Sequence, residues 1–428
     1  MQSENGDSSI SVAAHKEADL SGIGDALLTA ATLLFVDGQT TERTRAEIER
    51  LSAVLGVQST LFLRWDEITI IADDGQRLHR FTAAVEPTGV DMGRVASTNE
   101  LIDNFVKKKL DFAAFRGRLK EIRNEPSVGF FRFVLLAGAG AAALGVIFGV
   151  DSLIPLFLIA CSGAIGAAIR RCLALFSHNP FVQPLAASLF AGLLGAATIH
   201  SGISMFGRLI AFCPCMVLVP GPHLLNGTID LIRTRIMIGI SRLVFAGIII
   251  LSICIGLLGG LAFGGVSLPA AGPASPVLLW RDVAAAGVAV AAYGTFFAMP
   301  WRTLPIPIVI GMFAHAVRWL LIYRFGTNVA LGAFGACFLV GLAVASISDR
   351  LRLPFAALAF ASVVSLIPGV FLFQAADSLL ALISEGAGAS PELMIRMISD
   401  GGTAFLILLA MTLGLILPKM TIDRILGK

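Results

Sequence analysis

Residues 217–230 read VLVPGPHLLNGTID. An apolar run meets Pro220-Gly221-Pro222, and His223, Asn226 and Asp230 follow at once. Proline removes amide donors and glycine frees the backbone, so the stretch predicts a helix that breaks and leaves carbonyls and amides in search of partners. In a bilayer such groups must face protein or a wet cavity. The reading is a broken transmembrane helix of the kind that lines a transporter site.

The surrounding composition supports a bilayer. The chain has 428 residues, 56% hydrophobic and only 14% charged, with a mean hydropathy of +0.83. These values exclude an ordinary soluble protein and point to a polytopic α-helical membrane protein. The 44 glycines suit helices that approach closely. All six cysteines lie in or beside apolar segments, and Cys213-Pro-Cys215 has no second pair or His cluster at metal-ligand spacing. Buried thiols are expected, with no metal and no cofactor. A net charge of +3 does not support nucleic-acid binding.

Spans of about 20 apolar residues are expected at 130–150, 153–170, 181–202, 206–227 and 236–263, and again at 282–299, 304–323, 329–348, 354–376 and 402–418. Between the two sets, 264–279 reads GGVSLPAAGPASPVLL, and 264–281 is taken as a linker. The membrane part therefore divides into 126–263 and 282–428, with five helices each and about ten transmembrane helices in all.

Residues 1–125 are different in kind. They carry the run Lys107–Lys109 and no apolar stretch long enough to span. The first residues lack a basic region followed by an apolar one, so no signal peptide is expected and this part stays cytoplasmic. Residues 1–18 read as a flexible tail and 19–125 as a small α+β domain. That domain has a helix ending near Gly38, a second capped at Gly56, three adjacent strands turning at 73–75, and two charged helices at 95–109 and 111–124. Asp66, Glu67, Asp73, Asp74, His79 and Asp91 form an acid-base set only on paper, for no nucleophile motif, P-loop or zinc spacing accompanies them. They read as strand ends and turns.

With that domain inside, the cytoplasmic ends receive Arg170, Arg171, Arg233, Arg235, Arg302, Arg350, Arg352, Lys419 and Arg424. The opposite ends receive Arg208, Arg281, Arg318, Arg324 and Arg396, so the positive-inside rule is met.

The two halves also resemble each other. Leu218-Val219-Pro220-Gly221 matches Leu366-Ile367-Pro368-Gly369 at an offset of 148 residues, and the same offset carries Gly163 onto Gly311 and Arg170 onto Arg318. Five spans per half reverse the direction in which the second half enters, so the expected architecture is two inverted five-helix repeats. Paired Pro-Gly breaks in such repeats point to a substrate site near the midplane. A half-helix N-terminus offers amides to a carboxylate, and unwound carbonyls beside an acid hold an ammonium. Pro220, Gly221, Pro368 and Gly369 would shape this cavity, while Asn226, Asp230 and His223 would touch substrate or proton. Asp230 has a plainer alternative, an ion pair with Arg233 or Arg235 at the membrane surface. Gln374 and Asp377 hold comparable positions after the second break. His315 and Arg318 lie three residues apart on the seventh span and face a cavity or a partner helix rather than lipid.

At these residues the chain resembles the threonine/serine exporter family. The resemblance rests on DGQTTERTRAEIERLSAVLGV from residue 37, VDMGR at 90–94, the LVPGPHLLNGTIDL break with Gly239 and Arg242 after it, and the later SLIPG; it covers about residues 22 to 418. It implies a cytoplasmic N-terminal domain joined to ten membrane helices in a bacterial inner membrane, exporting threonine and serine on the proton gradient. The motif residues carried over are Pro220, Gly221, Asn226 and Asp230, whereas Pro222-His223 departs from the motif. In some members the two halves are separate polypeptides. Related two-subunit members are associated with succinate, so a dicarboxylate is an alternative substrate. The implied partners are threonine, serine, protons and the lipid bilayer, and a homo-oligomer stays open. A membrane-embedded enzyme or signalling protein acting through the N-terminal domain, and a channel, are the rival classes.

Overall fold

The computed structural model describes residues 7–425 except 74, 76, 77, 178, 203–205, 267–276 and 352. Most of the expected linker thus lies outside the described residues. The chain divides into two compact units. One holds residues 1–127 together with 230–241 and 351–354, and the other holds 128–229, 242–350 and 355–428.

In the first unit, α1 (Asp7–Val36) and α2 (Thr41–Leu55) precede a meander of β1 (Gln58–Leu63), β2 (Glu67–Asp73) and β3 (Leu78–Ala84), followed by α3 (Met92–Val106) and α4 (Phe112–Asn124). α1 begins at Asp7, within the stretch expected as a tail. The strands pair antiparallel in the order β1-β2-β3, with Gln58 opposite Asp73 and Asp73 opposite Leu78. Side-chain caps start the helices: Thr40 accepts from the Arg43 amide, Asp91 from Arg94 and Asp111 from Ala114. Gly56, at φ 72°, ends α2 in the left-handed region. Asp91, one of the paper acid-base set, is therefore a capping residue. Leu27 and Leu34 of α1, Ile48 and Leu51 of α2, Ile68 and Ile70 of β2 and Ile102 of α3 form the core, and Ile238 from the returning 230–241 segment is buried in it.

The second unit begins with α5 (Phe130–Ile147), α6 (Leu153–Phe176) and α7 (Val182–His200). The first expected break then falls between α8 (Gly207–Met216) and α9 (Gly221–Ile232), and α10 (Ile236–Phe263) completes this half. The other half runs through α11 (Leu279–Phe296), α12 (Pro305–Trp319), a π-helical turn at Leu320–Arg324, and α13 (Val329–Leu351). The second break separates α14 (Phe355–Val363) and a 3-10 turn (Val364–Leu366) from α15 (Gly369–Glu385), and α16 (Pro391–Ile425) follows.

Seven of the described helices are long and apolar enough to cross a membrane, or up to nine if each bent pair is one span, the bends being 53° and 69°. The sixth expected span is helical as α11, but Arg281 and Asp282 in its first turn and its many small residues lower its apolarity. Glycines set the helix contacts in the same way in both halves. Added side chains at Gly192 or Gly260 would strike the facing backbone between α7 and α10, and those at Gly341 or Gly414 would do so between α13 and α16.

Candidate functional site

Breaking a helix at Pro-Gly leaves its last carbonyls without their usual donors. At the first break, the Tyr293 hydroxyl of α11 donates to the Met216 carbonyl and satisfies one of them. The glycines then permit close contact between the two breaks. Gly221, at the start of α9, lies under the Phe360 ring of α14, so that a Cβ there would overlap it. Gly369, at the start of α15, lies against the Met216 side chain of α8, and the Phe212 ring of α8 sits 5.0 Å from that of Phe373 in α15. Each broken helix thus rests its glycine on the first half-helix of the other.

His223, Asn226 and Asp230 follow on one face of α9 and all three are buried. His223 stands edge-on to Phe245 at 5.0 Å. Asp230 belongs to the N-terminal unit, where its Oδ2 accepts from the Thr41 hydroxyl at 3.0 Å and its Oδ1 lies 3.7 Å from Arg235. The plainer expectation for this residue, an ion pair beside Arg235, is the geometry found. Glu42 joins the same group by pairing with Arg233 at 2.8 Å and with Arg235. Burial works to raise the Glu42 carboxyl, but hydrogen bonds and charge from the two arginines outweigh it and hold the group below the usual carboxylate range. Nearby Asp37 is pushed up to about 7 by burial, against the opposing charge of Arg94. Gln374 and Asp377 are half-buried on α15.

The second half holds a cluster that sequence reasoning found only in part. His315 of α12 is fully buried; its Nδ1 is 2.8 Å from Asp282 Oδ2 on α11, and its Nε2 is 2.6 Å from Ser365 Oγ in the 3-10 turn just before the second break. A neutral His315 donates from Nδ1 to the carboxylate and accepts from Ser365, while a protonated one donates from both nitrogens. Arg318 lies one turn on along α12, and its Nε is buried without a hydrogen-bond partner among the described residues. Asp282 is the first residue past the expected linker and Ser365 opens the SLIPG match, and neither is singled out by the sequence. Only the fold brings them to His315.

The offset of 148 residues that pairs the breaks also pairs this cluster with a place in the first half. His315 corresponds to Ala167, Ser365 to Val217, Arg318 to Arg170 and Asp282 to Val134. There Ala167, Arg170 and Val217 line a pocket together with Gly163, Pro214 and Phe296. No group of His, Cys, Asp and Glu suited to a metal occurs among the described residues.

Two bent helix pairs in contact through paired glycines, among helices apolar enough to cross a bilayer, define a multi-pass membrane protein. A threonine/serine exporter family model matches residues 25–264, and a second model, Threonine/Serine exporter, ThrE, matches 282–421. The chain belongs to the threonine/serine exporter family. No solved structure matches it.

Proposed function

We propose that the protein exports threonine and serine across a bacterial inner membrane in exchange for protons, with its N-terminal domain in the cytoplasm and ten spans arranged as two inverted repeats. The observation that carries this reading is the reciprocal seating of Gly221 on Phe360 and Gly369 on Met216. Two discontinuous helices that cross in this way put half-helix ends together in the middle of the bundle, where a polar solute is recognised. α11 is the remaining span, with Asp282 of its first turn buried against His315 of α12.

Proton coupling rests on Asp282, His315 and Ser365. In a bilayer, buried ionisable residues mark ion and proton pathways, and this one ends at the turn that opens the second break. Protonating His315 reverses its hydrogen bond with Ser365, from accepting to donating, and so bears on the break itself. The α9 face contributes His223 and Asn226; Gln374 matches Asn226 in the repeat, and Asp377 lies one turn further along α15. Asp230 holds the end of α9 through Thr41 and Arg235 rather than touching solute.

The test is transport in proteoliposomes of the full chain, comparing threonine, serine and succinate with and without an imposed pH gradient. Threonine and serine should accumulate on the gradient. H315Q should lose that gradient-driven flux and keep threonine-threonine exchange, since only the proton step is removed. Gradient-driven movement of succinate alone, or unaltered coupling in H315Q and D282N, would reject the respective half of the reading.

A further inference from the structure

The His315 cluster and the Arg170 pocket occupy corresponding places and differ in what fills them. In the second half, one turn before Arg318, the buried His315 bonds the Asp282 carboxylate and Ser365, and of the Arg318 nitrogens only Nε is buried without a partner among the described residues. In the first half the carboxylate is replaced by Val134, the imidazole by Ala167 and the serine by Val217. The arginine remains. Its Nε and Nη1 are shut off from solvent and have no hydrogen-bond partner among the described residues.

Such a guanidinium is costly to bury unless an anion meets it. What the fold supplies is the Phe296 ring, 4.6 Å beneath the guanidinium carbon, and a ring face supports the cation while leaving its N–H edge open. Arg171 adds a second positive charge next in the chain, itself donating to the Val128 carbonyl at 2.9 Å. The pocket that Arg170 lines reaches the first break at Pro214, Val217 and Leu218, and its walls at Gly163, Gly166 and Ala167 carry little or no side chain. A planar guanidinium in a small-walled cleft fits a carboxylate, which it binds through paired N–H bonds.

We propose that this pocket takes the carboxylate of the transported solute, with Arg170 as its ligand. The proposal rests on the transport reading above and adds a division of labour to it: the half that keeps its internal acid carries the proton, and the half that lost it carries the anion. By the proposed topology Arg170 lies toward the cytoplasmic end of α6 and Asp282 toward the outer end of α11. Cargo would therefore be captured from inside and protons from outside, as export by exchange requires.

Two readouts on the full chain separate the proposal from the reading it rests on. Flux in proteoliposomes gives KM for threonine, and thermal stabilisation of the purified protein by threonine, threoninol, succinate or propionate gives binding without transport. R170Q should weaken threonine by roughly 10- to 100-fold, the span expected for lost hydrogen bonds to a charged group. Threoninol, which has a hydroxymethyl group in place of the carboxylate, should neither compete nor stabilise. Where R170Q fails to insert, R170K, which keeps the charge without the paired geometry, and A167V, which narrows the pocket, should still raise KM. Threonine flux with an unchanged KM in these variants would overturn the pocket and leave export standing. Stabilisation of the wild type but not R170Q by succinate or propionate, with no amino-acid flux, would keep the pocket and reject export. If no carboxylate stabilises the wild type, the pocket is refuted outright.

Discussion

Asp230 shows how far a residue's chemistry depends on where its helix ends. Its type and its place after a Pro-Gly break suggest contact with solute, and its carboxylate meets Thr41 and Arg235. A carboxylate 1% exposed needs such partners, because burial without them is penalised by several kcal/mol. Thr41 is available because α2 starts beside it, capped by Thr40. Replacing Thr41 by Val should cost about 1.5–3 kcal/mol, the usual loss when a hydrogen bond to a charged group goes. D230N should not add its full cost on top of that. A double-mutant cycle on the solubilised protein, read by unfolding, should therefore give coupling well above the few tenths of a kcal/mol seen for independent sites; additive losses would show that the two side chains act separately. The partnership itself was hidden in the sequence, since 189 residues separate Thr41 from Asp230.

The broken helices were the most legible elements, because proline and glycine act locally and their effect needs no knowledge of the fold. The strands, the caps at Gly56 and the helices after them were legible for the same reason. What the breaks touch was not. Gly221 and Gly369 are equivalent by sequence, but their neighbours differ: a rigid aromatic ring for one and the flexible end of a methionine for the other. G221A should therefore be the more damaging, by 1–3 kcal/mol or more as is usual when a packed core is overfilled, while G369A lets Met216 swing aside at smaller cost. The second change F360A should restore much of what G221A loses, because it removes the ring that the new methyl meets. Thermal unfolding of the four proteins checks this, and a G221A defect that F360A does not relieve would place its cause elsewhere. The His315 cluster marks the limit of local reading. Its three side chains come from positions 33 and 50 residues apart in the chain, and each alone has an ordinary explanation.

At the scale of the whole chain the question is whether the bent pairs cross the membrane or turn back. α10 begins among residues that pack in the N-terminal unit and runs 28 residues, about 42 Å at helical rise. Its far end meets the end of α7, where the His200 ring bonds the Gly264 carbonyl. α8 starts soon after His200 and α9 ends at Ile232, and in the proposed topology this pair makes one crossing. The second pair follows the same logic. α14 starts after residues 351–354 of that unit, and Lys419 near the end of α16 lies over the Phe355 ring at 5.8 Å. From Lys419 back to Pro391, α16 is one helix of roughly 40 Å, and the proposed topology sets its start, and the end of α15 before it, at the opposite face. Single cysteines in a background without native ones make this a direct measurement. In intact cells an impermeant maleimide should label S152C and S390C, and should reach S127C only after permeabilisation. Ser390 is the decisive position, since a pair that dipped in and returned would leave it with Ser127. That result would remove a span from the second half and, with it, the five-and-five count on which the proposed inverted repeats rest.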